Sequence, residues 1–184
     1  MTDVTVLVGS LRKESFNRKM ALAVTKLSPP SLRMNFIEIG NLPLYNEDLE
    51  TDAPAQWRSF RDRVRASNAV LFVTPEYNRG VPGGLKNAID VGSRPYGQSV
   101  WDQKPTAIIS VSPGSIGGFG ANHALRQSFV FLNMPAMQQP EAYIGGAATL
   151  FDSDGRIKNE STRKFLETFI EAFESWIVAH PPAR

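Results

Sequence analysis

The sequence predicts a three-layer α/β/α sandwich built on a five-stranded parallel sheet. Short apolar runs rich in β-branched residues alternate with segments whose apolar residues recur every three or four positions, the signature of βαβ units. A chain of 184 residues suits one well-buried core and is short for two, so a single domain over residues 1–184 is expected.

The first strand is Val4–Val8, which reads as a buried parallel strand and ends at Gly9-Ser10. A helix from about Ser15 follows, with Phe16, Met20, Val24 and Leu27 at helical spacing, and Ser28-Pro29-Pro30 stops it. Met34–Ile39 is the second strand, followed by a loop through Pro43, Tyr45 and Asn46. Trp57, Phe60 and Val64 mark one face of a second helix beginning near Pro54, and Arg58, Arg61, Arg63 and Arg65 read as its wet face. Ala69–Val73 is the third strand. A third helix begins near Pro82, where proline suits the first turn, and runs past Leu85 and Ile89. Thr106–Val111 is the fourth strand, Ala121–Leu132 the fourth helix and Ala136–Gln138 a short fifth strand. Asp154-Gly155 marks a turn, and a fifth helix from about Ser161 to Val178 carries a broad apolar stripe from Phe165 to Ile177. The run Phe129–Phe131 with Met134 and Met137 reads as core, with a dimer interface as the rival.

The formal net charge of +2, from 20 basic and 18 acidic residues, is too slight to predict binding to nucleic acid or a membrane. The absence of cysteine excludes disulfides, thiolate metal sites, iron–sulfur clusters and cysteine nucleophiles. No signal-peptide pattern opens the sequence and no apolar run has the length of a membrane span, so a cytoplasmic location is expected. No Gly-x-Ser-x-Gly elbow or EF-hand spacing occurs. His123 falls near a helix start, where a surface role is expected, and His180 in a tail expected to fray.

In such folds ligands bind outside the carboxyl ends of the strands, where the strand order reverses. Three unusual loops lie there. The first, Gly9-Ser10-Leu11-Arg12-Lys13-Glu14-Ser15-Phe16-Asn17-Arg18, leads into a helix N-terminus. Free N–H groups and the helix dipole favour an anion at that place, Ser10, Ser15 and Asn17 add hydrogen bonds, and Arg12 adds charge. The constellation suits a phosphate monoester, although Ser15 alone reads as a helix N-cap. It is neither a Walker A loop nor a Gly-x-Gly-x-x-Gly fingerprint. The second loop, Pro75-Glu76-Tyr77-Asn78-Arg79-Gly80-Val81-Pro82-Gly83-Gly84, offers a stiff wall for a flat heteroaromatic ring, or equally a structural turn capped by Asn78. The third, Ser112-Pro113-Gly114-Ser115-Ile116-Gly117-Gly118-Phe119-Gly120, can close the other side of such a ring.

Together these stretches resemble the NADPH-dependent FMN reductase family, which includes chromate, quinone and azo-dye reductases. The matching motifs are Gly9-Ser-Leu-Arg-x-x-Ser-x-Asn17-Arg18, Pro75-Glu-Tyr-Asn78-x-x-x-Pro82-Gly-x-Leu-Lys-Asn-Ala-Ile-Asp90 and Ser112-Pro-Gly-x-x-Gly-Gly118. The resemblance implies a flavodoxin-like fold with strand order 2-1-3-4-5 and FMN at the loop tips. By position, Ser10, Arg12, Ser15 and Asn17 would hold the phosphate, with Phe16 beside them. Pro75, Glu76, Tyr77 and Asn78 would line the isoalloxazine, and Ser112, Gly114, Ser115 and Gly117 its other flank. It also implies a homodimer or homotetramer.

Two departures from the family pattern stand out. Glu14 replaces a glycine common among relatives, and a carboxylate there weakens a phosphate site unless it turns to solvent or pairs with Arg12 or Arg18. Phe119-Gly120-Ala121-Asn122 stands where relatives often carry Arg and Gln after the Gly-Gly, which bears on NADPH preference.

The implied activity is an FMN-dependent NAD(P)H oxidoreductase working by a ping-pong cycle. NADPH or NADH reduces FMN and leaves, and a small-molecule electron acceptor such as a quinone, azo compound, chromate or free flavin then takes the electrons. No dedicated catalytic residue is expected, because the N5 atom of the flavin carries the hydride. Tyr77 is expected at the open ring face or an interface. Arg79 and Arg94 are weaker candidates for the phosphates of NAD(P)H. The rival readings are a flavodoxin-like electron carrier, disfavoured by the near-neutral charge, and a flavin-free regulator.

Overall fold

The structure is a computed structural model and describes residues 1–181. Strand β1 (Thr2–Val8) is followed by α1 (Phe16–Leu27), β2 (Leu32–Phe36), a short 3-10 turn (Glu47–Leu49), α2 (Ala55–Arg65) and β3 (Ala69–Thr74). Then come α3 (Gly83–Gly92), β4 (Thr106–Val111), α4 (Phe119–Phe131), β5 (Ala142–Ile144), the single-turn α5 (Ala147–Leu150) and α6 (Glu160–Ala179). The five strands form one parallel sheet in the order β2-β1-β3-β4-β5, the flavodoxin-like order.

Alternation along the strands sends side chains to two cores. Val4, Val6, Leu71, Val73, Ile109 and Val111 pack against Met20 and Val24 of α1 and Leu166, Phe169 and Phe173 of α6. Leu7, Val70, Phe72 and Ile108 face Trp57 and Phe60 of α2, Leu85 and Ile89 of α3, and Leu125 and Phe129 of α4. Both sheet faces are therefore covered, as an all-parallel sheet requires. Trp101 closes the second core, its indole N–H donating to the Ile89 carbonyl at 2.8 Å.

Several expectations need correction. The fifth strand is Ala142–Ile144, not Ala136–Gln138. Residues 135–137 make only a single bridge at the start of β4, through the Pro135 carbonyl and the Met137 N–H. Pro135 and Pro140 lack the N–H a ladder needs, so pairing resumes only beyond them. The second strand ends at Phe36, although Ile37 and Ile39 continue into the core. A sixth helix, α5, was not expected.

Arg61 does not belong to a wet face. It is buried, lies over the Trp57 ring and donates to the Val91 carbonyl at 2.8 Å. His180 does not fray away: it stacks on Trp176 with 3.8 Å between ring centroids. Phe129, Met134 and Met137 are core, whereas Val130 and Phe131 are exposed. No helix among the described residues is long and apolar enough to cross a membrane.

Candidate functional site

The three loops leave neighbouring strands at one edge of the sheet. Val8 pairs with Val73, and Thr74 with Ser110, so β1, β3 and β4 end almost level. Short contacts then draw their loops together. The Gly9 N–H donates to the Val73 carbonyl at 2.8 Å. A Cβ on Gly9 would lie 3.0 Å from Thr74 Oγ1 and 3.3 Å from Pro75, so glycine lets the first loop rest on the second. Asn17 reaches the end of β4, where the third loop begins, by donating from Nδ2 to the Val111 carbonyl at 3.3 Å.

At the first loop, Ser15 caps α1, its Oγ accepting from the Arg18 N–H at 3.1 Å. The first-turn N–H groups of α1 have no partner inside the helix, and that turn holds no acidic residue. Ser10 and Ser15 are buried beside this end, Phe16 is half-buried, and Arg12 is exposed with its guanidinium 5.9 Å from the Phe16 ring centroid. Arg12 has no ion-pair partner among the described residues, whereas Arg18 is paired with Glu38 at 2.7 Å. Glu14 turns to solvent and pairs with Lys19 at 3.5 Å, rather than with Arg12 or Arg18, which removes the first departure as an obstacle to an anion. Asn17 is buried, and its Oδ1 is one of the few buried side-chain atoms with no hydrogen-bond partner among the described residues.

The second loop is a two-residue hairpin. Tyr77 and Gly80 exchange backbone hydrogen bonds at 3.1 and 3.0 Å across Asn78 and Arg79, whose φ angles of 51° and 65° are those of a type I′ turn. Pro75 is buried, and Tyr77 and Asn78 are exposed. The Glu76 carboxylate turns inward to Arg79 Nη1 and the Ala121 N–H. Gly120, part of the second departure, lies directly against that contact.

The third loop is held from below. Ser112 Oγ accepts from the Gly114 N–H at 3.1 Å, while Gly114 and Ser115 are exposed. Gly117 is buried, and a Cβ on it would lie 2.5 Å from the Tyr143 carbonyl carbon. Gly145, which no motif singles out, provides the matching clearance: its Cβ would lie 2.8 Å from the Ser115 carbonyl oxygen.

Three further features escaped sequence reasoning. His123 is half-buried, with Nε2 2.9 Å from the Tyr143 hydroxyl and its ring against Phe119. Burial, with Glu141 nearby, pushes the Tyr143 hydroxyl up to about 12. Asn87 pins the loop after β2, accepting from the Tyr45 N–H at 2.8 Å and donating to the Pro43 carbonyl at 3.1 Å. The third is the long reach of Glu76 to α4. Asn87 and Glu76 both stand in the second motif, but nothing local in the sequence marks their partners.

A five-stranded parallel sheet of order 2-1-3-4-5 with three loops gathered at its switch point defines an α/β protein of flavodoxin-like fold. The pattern of the NADPH-dependent FMN reductase family matches residues 2–149, and the chain belongs to that family. It is 66% identical over 176 residues to a quinone reductase of Pseudomonas putida, covering 95% of this chain and 94% of that protein. It is 45% identical over 174 residues to a 2-hydroxy-1,4-benzoquinone reductase of a Burkholderia species, covering 95% of each. The structure superposes on FerB, a flavoenzyme NAD(P)H:(acceptor) oxidoreductase of Paracoccus denitrificans, with a TM-score of 0.93. The identity there is 45%, over 98% of this chain and all of FerB.

Proposed function

We propose that this chain is an FMN-dependent NAD(P)H oxidoreductase whose acceptor is a quinone. The observation that carries the reading is the first loop. It joins two buried hydroxyls, an unpaired arginine and an open helix N-terminus with no acid in its first turn. That donor set fits a phosphate monoester. The buried Asn17 Oδ1 fits the rest of the group, because a ribityl hydroxyl would supply the missing donor.

Ser10, Arg12 and Ser15 would bind the phosphate and Asn17 the adjoining ribityl chain. Pro75, Tyr77 and Asn78 would wall one side of the ring, and Ser112, Gly114, Ser115 and Gly117 the other, with Glu76 acting from behind. When bound, FMN supplies the relay that takes a hydride from NAD(P)H and passes it to the acceptor. The protein would bind the phosphate and hold the hairpin, leaving the exposed Tyr77 and Phe119 rings as surfaces on which flat molecules could stack in turn. Supporting the quinone are the printed activities of the Pseudomonas and Burkholderia relatives. A single cytoplasmic domain working as a homodimer or homotetramer completes the proposal, with exposed Val130 and Phe131 as candidate contacts.

The test is an anaerobic spectral titration of the FMN-loaded protein. Flavin absorbance should bleach on adding NADPH or NADH and return on adding benzoquinone. Colour that never bleaches would favour an electron carrier and overturn the oxidoreductase reading.

A further inference from the structure

One side chain ties the hairpin after β3 to the helix after β4. Glu76 is followed by three exposed residues, yet its own side chain is only 9% exposed. Oε1 accepts from Arg79 Nη1 at 2.8 Å, and Oε2 accepts from the Ala121 N–H at 3.2 Å. Burial opposes ionisation of this carboxyl, but the Ala121 N–H, Arg79 and the Gly120 N–H outweigh it and hold the group below its usual range. Helix α4 needs such a partner, because its N-cap is Gly118, with φ 77° and no side chain to accept from the first turn.

The fit is seen from the helix as well. A Cβ on Gly120 would lie 2.9 Å from Glu76 Oε2 and 3.0 Å from the Arg79 carbonyl oxygen. Glycine at 120 therefore allows α4 to approach the hairpin this closely. Arg79 contributes less, since its side chain is 74% exposed and solvent screens such a pair.

We infer that Glu76 is a positioning residue: its carboxylate latches the Tyr77–Gly80 hairpin to the N-terminus of α4, with Gly120 as the matched surface that lets the latch close. The two walls flanking the ring then move as one body. This functional half rests on the FMN reading above, whereas the latch itself does not.

Amide hydrogen exchange at Tyr77 and Gly80 in the flavin-free protein, together with FMN affinity, tests both halves. Glu76→Ala should speed exchange at these amides and weaken FMN binding, each by about tenfold or more, the loss of a charge-assisted contact. Glu76→Gln should recover part of both, because its amide oxygen still accepts from the Ala121 N–H. Gly120→Ala should resemble Glu76→Ala, and in the double variant only its 3.0 Å approach to the Arg79 carbonyl oxygen should add to the loss, so the two effects fall short of additive. Arg79→Ala should change each quantity by less than about threefold.

Unchanged protection at Tyr77 and Gly80 in Glu76→Ala would overturn the latch. Faster exchange there with unaltered FMN affinity would overturn the positioning role, as would faster exchange spread evenly over all amides. A wild-type protein that bound no FMN would remove the flavin reading and the positioning role together, leaving the exchange data to decide the latch alone.

Discussion

Replacing Gly117 by alanine should damage the site through the backbone of β5. Gly117 has φ 65°, and its Cβ would lie 2.5 Å from the Tyr143 carbonyl carbon, 2.7 Å from its oxygen and 2.8 Å from the Ile144 nitrogen. All three are backbone atoms of a strand paired to β4, so none can swing aside. The left-handed conformation alone costs a non-glycine residue about 1–2 kcal/mol. Overpacking adds about 1–3 kcal/mol, for a total near 2–5 kcal/mol. In a chain of this length that corresponds to a fall in Tm of roughly 5–20 °C. Gly97→Ala is the control, because Gly97 has φ 79° and open space within 4 Å, leaving only the conformational cost. Urea unfolding of both variants isolates the contact term as their difference. FMN affinity should fall in Gly117→Ala and hold in Gly97→Ala. Equal destabilisation of the two would refute the claim that the third loop is seated on β5.

Arg12→Ala should weaken FMN binding by about tenfold or more, the worth of one charge-assisted hydrogen bond. Arg58→Ala should leave it unchanged, since Arg58 lies at the start of α2 and faces Asp52; fluorescence titration compares them. Ser15→Ala should cost about 1 kcal/mol of stability through loss of the α1 cap, readable by urea unfolding, besides weakening FMN binding. Two groups, the buried Lys104 and the half-buried Tyr143, contribute to the alkaline pH dependence of stability. Burial lowers Lys104 to about 8, so the unfolded chain binds its proton more tightly and stability should rise with pH from about 8 towards 10.5; Lys104→Met should abolish that rise. Tyr143 is raised to about 12, so its contribution should hold below about 10 and be lost as pH climbs to 12; Tyr143→Phe should flatten that loss in pH-dependent unfolding.

Much of the fold was legible because periodicity and punctuation are local. Thr106–Val111 was read to the residue, and Ser15, Pro54 and Pro82 correctly marked helix starts. What failed depended on partners. An apolar run such as Ala136–Gln138 says nothing of whether the neighbouring strand has free groups opposite it, and proline on either side decided the matter. Arg61 looked like its exposed neighbours because its partner, the Val91 carbonyl, lies 30 residues away. The three loops of the proposed site were visible as oddities in glycine, proline and hydroxyl content. The role of Glu76 was hidden because its helix partner lies 45 residues on, and Gly120 looked like a departure until that contact explained it.

Calorimetric titration of the flavin-free protein with FMN and then with riboflavin bears most directly on the proposed site. If the first loop grips a phosphate through two or more charge-assisted bonds, one FMN should bind per chain, about a hundredfold or more tighter than riboflavin. Equal affinities for the two, or no heat with either, would contradict a phosphate-anchored flavin at these loops.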